Sequence, residues 1–174
     1  MASQPVVPSV LPPVLPPVLP PLHHGMYFEE FSAGLMVTTA GRTVTETDLV
    51  SFMGLSGDYN QIHTDAEFAK TTVFGQRVIY GLCVLSIASG LVMQTGVLEG
   101  TVIAFREISE WKFVKPVFIG DTIHVEVEIL DTKAMPRIQA GLLTLELTVK
   151  NQAGEVVQRG KWSALLRSRP GEGG

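Results

Sequence analysis

Residues Gly57 to Gly90 read GDYNQIHTDAEFAKTTVFGQRVIYGLCVLSIASG, and the rest of the chain is organised around them. An acid and a histidine, Asp58 and His63, stand five positions apart on a polar, turn-prone segment. Then charge disappears: Gly81 to Met93 is thirteen residues of Gly, Leu, Cys, Val, Ser, Ile, Ala and Met. A helix apolar on every side is buried by its fold. The downstream segments are therefore expected to wrap it.

Those segments change period from helical to two. Ile123, Val125, Val127 and Ile129 alternate with Thr122, His124, Glu126 and Glu128, and Leu143, Leu145, Leu147 and Val149 alternate with Thr144, Glu146, Thr148 and Lys150. Each pattern predicts a strand with one wet face. Asn151 to Gly154 supplies a turn into a strand over Val156 to Leu166. Adding Gly100 to Trp111 and a strand over Met36 to Val44, about five antiparallel strands curl around one long apolar helix, an α+β layout.

Upstream, a turn at Ser32 to Gly34 precedes the first strand. Thr45 or Thr47 caps a helix in which Leu49, Val50, Phe52, Met53 and Leu55 are the buried set and Asp48 complements the dipole, ending at Gly57. Asp58 to His63 is expected as a loop. Thr64 then caps a short helix over Asp65 to Lys70, with Phe68 and Ala69 turned inward. Eight of the eleven prolines lie in the first 21 residues, where VLPP repeats three times in tandem. Residues 1–25 are thus expected as a polyproline or disordered tail, 26–169 as a single domain, and 170–174 as a flexible end.

At 174 residues, 45% hydrophobic and 17% charged, the chain can bury a core. A net charge of −4 supplies no basic field for nucleic acid or an anionic membrane surface. Val78 to Leu98 carries no charge, but Gly81, Gly90, Gly96, Ser86, Ser89, Gln94 and Thr95 break it too often for a membrane span. No basic region precedes the N-terminal apolar residues, so a secretory leader is not expected and cytoplasmic residence is. The single cysteine, Cys83, sits in the apolar helix and is expected as core filler.

Asp58, Asn60 and His63 are the dense polar cluster just before the buried helix. An acid and an imidazole placed there can share a water, one holding it and the other moving its proton. Equally, Asp58 and Asn60 can make an Asx-type turn and His63 can bond a neighbouring backbone group. Asp58, His63 and Asp65 offer metal-compatible donors, but no second imidazole stands at ligand spacing, so no metal is expected. Gly81 opens the helix where N–H groups lack partners and a carbonyl oxygen can approach closely, or it serves only turn geometry. Ser89, two turns on, can face the same side or bond back to a helix carbonyl.

The string GDYNQIH, a following D, then EFAKTT, FG, YGL and SIASG, with PVFIGDT at Pro116 to Thr122, resembles the MaoC-like, (R)-specific enoyl-CoA hydratase family over most of Tyr27 to Arg167. That resemblance implies the hotdog fold, homodimers or higher homo-oligomers, and addition of water to trans-2-enoyl thioesters carried on CoA or acyl carrier protein, with no cofactor. By it Asp58 and His63 are the catalytic dyad, Gly81 the N–H donor to the thioester oxygen and Ser89 the partner that orients Asp58. Asn60 shapes the loop or holds the water. Two positions depart from the family pattern: Gln61 stands where proline is common, and Tyr80, in the pocket lining, where histidine is common. A hotdog acyl-CoA thioesterase is the alternative enzyme, against which Gly81 to Met93 offers no Asp or Glu. A non-catalytic acyl-thioester binding subunit is the alternative from another class.

Overall fold

The structure, a computed structural model, describes residues 25–171. Its first residues are already tied down: the Gly25 and Met26 N–H groups donate to the Glu99 and Val97 carbonyls. The expected proline tail lies outside the described residues.

A short 3-10 turn, Phe28–Glu30, lays Phe28 across Gly141, where any Cβ would stand 2.1 Å from the ring. The expected strand over Met36 to Val44 is two short ones, β1 (Met36–Thr38) and β2 (Arg42–Thr43), each antiparallel to the same long strand. Thr39 causes the break, because its own N–H and hydroxyl bond Val125 and replace the ladder there. Helix α1 (Glu46–Ser56) is capped by Thr45, not Thr47, in a reciprocal box with Asp48, and stops at Gly57 in the left-handed region. Only part of its expected apolar set is covered: Leu49 is buried, whereas Val50 and Leu55 are exposed.

Residues expected as a loop contain α2 (Gln61–Thr64), one turn capped by the Asn60 side chain. The cap of α3 (Ala66–Lys70) is Asp65 rather than Thr64, its carboxylate accepting from Glu67 and Phe68 N–H. Ala69 is buried there, but Phe68 faces solvent.

Helix α4 (Gly81–Gln94) follows, then β3 (Val102–Phe113), β4 (Thr122–Met135), β5 (Ala140–Lys150) and β6 (Val156–Arg167). The sheet runs β1-β4-β5-β6-β3, with β2 on β4. In register, Val127 faces Leu147, Leu145 faces Trp162 and Ile108 faces Trp162 from the other side. The β4–β5 ladder continues past the predicted strand end because a bulge between Ile129 and Asp131 shifts the alternation rather than ending the pairing.

The inward rows of β4, β5 and β6 meet Cys83, Val84, Ile87, Ala88, Leu91 and Val92 of α4. Enclosure of the helix is incomplete within one chain, contrary to expectation. Leu82 and Met93 stay exposed, and so do Ile103, Phe105, Ile108 and Phe113 along β3. Among the described residues, no helix is long and apolar enough to cross a membrane.

Candidate active site

Beneath the start of α4 lies a cavity of about 470 Å³, walled by His63, Val78, Gly81, Leu82, Phe113 and Gln158 among others. The first intrahelical bond of α4 runs from the Val84 N–H to the Tyr80 carbonyl, so the N–H groups of Gly81, Leu82 and Cys83 precede the ladder. They form the positive end of the helix dipole. Gly81 does not have a left-handed backbone; it is small because Phe113 lies against it, and a Cβ would meet that ring at 2.7 Å. The opening glycine thus answers to close approach rather than to turn geometry.

His63 is buried on α2, and its Nδ1 donates to the Val78 carbonyl across 2.7 Å. A carbonyl only accepts, so Nδ1 carries a hydrogen, and in the neutral ring Nε2 is the acceptor nitrogen. Asp58 is exposed and accepts the Asn60 N–H on Oδ1, while Asn60 accepts the Ile62 N–H. The turn-making reading of these polar residues is therefore realised, and among the described residues no hydrogen bond takes up His63 Nε2.

Tyr80 connects the two halves. Its ring packs against His63, tilted by 32° with 3.8 Å between centroids, and against Phe52 at 5.3 Å, and its hydroxyl donates to the Asp58 backbone carbonyl. Burial, and then the nearby Asp58 charge, push its hydroxyl above the ordinary tyrosine range, so it stays protonated and donating. Tyr80, expected in the pocket lining, is not among the residues that wall this cavity; it packs against His63 and clamps the Asp58 segment to the head of α4.

Ser89 is not brought to this group. It is eight residues along α4 from Gly81, about 12 Å of rise, and it lines a separate cavity of about 280 Å³ with Val92, Met93, Phe105 and Trp162. Among the described residues no hydrogen bond joins it to Asp58. Asp65, once a candidate ligand, has its carboxylate committed to capping α3. Burial pushes the Cys83 thiol up to about 11, with the Asp48 charge adding to it. That leaves an inert thiol.

Sequence reasoning missed Gln158, which is 2% exposed in the cavity wall and donates from Nε2 to the Gly81 carbonyl at 2.9 Å. A signal was present: Gln158 is the polar member of the inward row Val156, Gly160, Trp162, Ala164, Leu166.

A sequence model described as the MaoC like domain matches residues 30–151. The chain belongs to the MaoC-like family. Two curated members and one solved structure illustrate its range. Protein MaoC of Klebsiella aerogenes is 42% identical over 58% of the chain, but the chain spans only 30% of that longer protein. The (R)-specific enoyl-CoA hydratase of Rhodospirillum rubrum is 30% identical, with 82% of this chain and 93% of the relative covered. A structure from Archaeoglobus fulgidus, described as a monoamine oxidase regulatory protein, superposes with TM-score 0.78 at 42% identity, covering 84% of this chain and 97% of the other. In this MaoC-like chain the sheet curled about α4 is the hotdog fold.

Proposed function

We propose that the protein reversibly hydrates a trans-2-enoyl thioester to the 3-hydroxyacyl thioester, with (R) stereochemistry. That it is a hydratase or dehydratase enzyme follows from its family; the substrate and the residue roles are our reading. One observation carries it: His63 and the first two residues of α4, Gly81 and Leu82, line one cavity, and among the described residues the N–H groups of that first turn precede the helical ladder. An enoyl thioester with its carbonyl oxygen at the Gly81 N–H presents C2 and C3 toward His63. Asp58 and His63 activate a water for attack at C3 and supply the proton to C2. The negative charge that develops on the thioester oxygen is held at the helix head, where a preorganised donor is worth about 2.7–4 kcal/mol in other enzymes.

The cavity walls Val78, Leu82, Phe113 and Val114 are apolar, and a second copy of the chain laid over the exposed Leu82 and Phe113 would exclude bulk water and strengthen that interaction. An acyl-CoA is the substrate form we favour. Exposed Leu82 and Met93 on α4 and Ile103, Phe105 and Ile108 on β3 are covered, in our reading, by a second copy of the chain. We place the protein in the cytoplasm, where its acyl-CoA substrate would be available.

Mixing the protein with crotonyl-CoA tests the chemistry directly. Loss of enoyl absorbance is expected, with Asp58→Asn and His63→Gln each slower by roughly 10² to 10⁴. Absence of turnover across short, branched and long enoyl thioesters would overturn the assignment, and release of free thiol would replace it with thioester hydrolysis.

A further inference from the structure

The carbonyl of Gly81 accepts from a side chain that is itself held, by a residue inside an irregularity of β3. The β3–β6 register shifts between Ser109 and Lys112, and within that shift Glu110 takes φ 53°, in the left-handed region that non-glycine residues seldom occupy. Its carboxylate is fixed to Lys161 at 2.8 Å. Beside this bulge, Trp111 lies over Gly160, where a Cβ would stand 2.6 Å from the indole Cε3 and 2.8 Å from the Trp111 Cα. Its Nε1 donates to Gln158 Oε1 at 3.1 Å.

An indole nitrogen can only donate. Gln158 must therefore present its oxygen to Trp111, which turns Nε2 toward Gly81 with no ambiguity over which end is which. A buried carboxamide is costly unless its groups are paired, and here one end is paired to β3 and the other to α4.

The peptide is planar, so the Gly81 carbonyl and the Leu82 N–H belong to one rigid unit. Fixing the oxygen fixes the direction of that N–H, and the Gly81 N–H is one Cα pivot away. A hydrogen bond accepted by an amide oxygen also polarises the N–H on the same peptide. We infer that Gln158, oriented by Trp111, is a positioning residue that sets and polarises the N–H donors at the head of α4. This rests on the hydration chemistry proposed above, in which those donors receive the thioester oxygen.

The test uses the full chain, Gln158→Leu, Trp111→Phe and the double variant, read by steady-state hydration of crotonyl-CoA and by the amide resonances of Gly81 and Leu82. Gln158→Leu is expected to lower kcat roughly 10- to 100-fold with KM nearly unchanged, and to move the Leu82 amide proton while amides on β1 and α3 stay in place. Trp111→Phe should lower kcat less, and the double variant should be no slower than Gln158→Leu, because both changes cut one chain of contacts. Wild-type kcat in Gln158→Leu, or a lowered kcat with an unmoved Leu82 amide, would overturn the inference. Should the wild type turn over no enoyl thioester, the hydration reading fails by itself and the Leu82 resonance alone decides the positioning role. If Gln158→Leu does not fold, Trp111→Phe carries the same two measurements.

Discussion

Removing only the hydroxyl of Tyr80 separates its two contacts. In Tyr80→Phe the ring keeps its tilted packing on His63 and its packing on Phe52, while the bond to the Asp58 carbonyl is lost. Because Asp58 is exposed, the freed carbonyl can bond to water. The stability cost should then be that of one neutral hydrogen bond, about 0.5–1.5 kcal/mol. For a domain of this size about 1 kcal/mol lowers Tm by roughly 2–4 °C. The same bond is what ties the Asp58 segment to α4, so its full loss from the reacting geometry lowers kcat by up to about 10-fold, since 1.36 kcal/mol is tenfold in rate.

Tyr80→Ala also removes a ring that is 4% exposed, which should cost about 3–5 kcal/mol and free the imidazole as well. Thermal melts and crotonyl-CoA kinetics on both variants make the comparison. A Tyr80→Phe protein with lowered Tm but wild-type kcat would show that the Asp58 segment needs no tether, refuting the clamp. The hydroxyl's proton affinity adds a pH test. With its folded value raised above the ordinary tyrosine range, its contribution is whole below about pH 10 and is lost as pH rises through the folded value. Tyr80→Phe should flatten that alkaline limb.

Cys83 behaves similarly at lower pH: its stability contribution is intact below about 9 and lost as pH rises towards about 11. Urea midpoints of Cys83→Ala should therefore fall less between those values, and iodoacetamide should label the native thiol far more slowly than the unfolded one. Burial of Asp48 acts to raise its pKa, but the Thr45 N–H and hydroxyl and the Arg42 guanidinium hold it below the usual carboxylate range. Its contribution is thus present above about pH 3.9 and lost as pH falls through the folded value. Asp48→Asn should cost about 1 kcal/mol at neutral pH and lessen the loss on acidification, read by urea melts at stepped pH. Gly160→Ala forces a Cβ against the Trp111 backbone, which no rotamer change relieves. It should destabilise by roughly 1–3 kcal/mol and alter tryptophan fluorescence; an unchanged melt would contradict the close approach.

The rows Ile123 to Ile129 and Leu143 to Val149 gave away their strands because one face is core and the other is water, which is what a period of two records. The uncharged run from Gly81 likewise marked α4 to within a residue at each end. Phe68, Val50 and Leu55 misled because hydrophobicity reports a preference for burial, not whether a neighbour is available in the same chain. The site was less legible. His63 and Gly81 meet at one cavity as their order suggested, but Tyr80 reaches His63 from 17 positions away and Trp111 reaches Gln158 from 47, and local patterns do not encode such contacts. Ser89 was placed by counting helical turns, which fixes the face of α4 but not the cavity that face opens onto.

The bond from His63 Nδ1 to the Val78 carbonyl carries a kinetic corollary. An imidazole anchored there cannot swap tautomers or rotate without stranding a main-chain acceptor. Under the proposed chemistry, then, a single nitrogen has to serve whichever way traffic runs, and microscopic reversibility gives the forward and backward routes one shared summit. Such a protein sets how fast its two thioesters equilibrate but not which accumulates; the net flux belongs to whatever supplies one and drains the other.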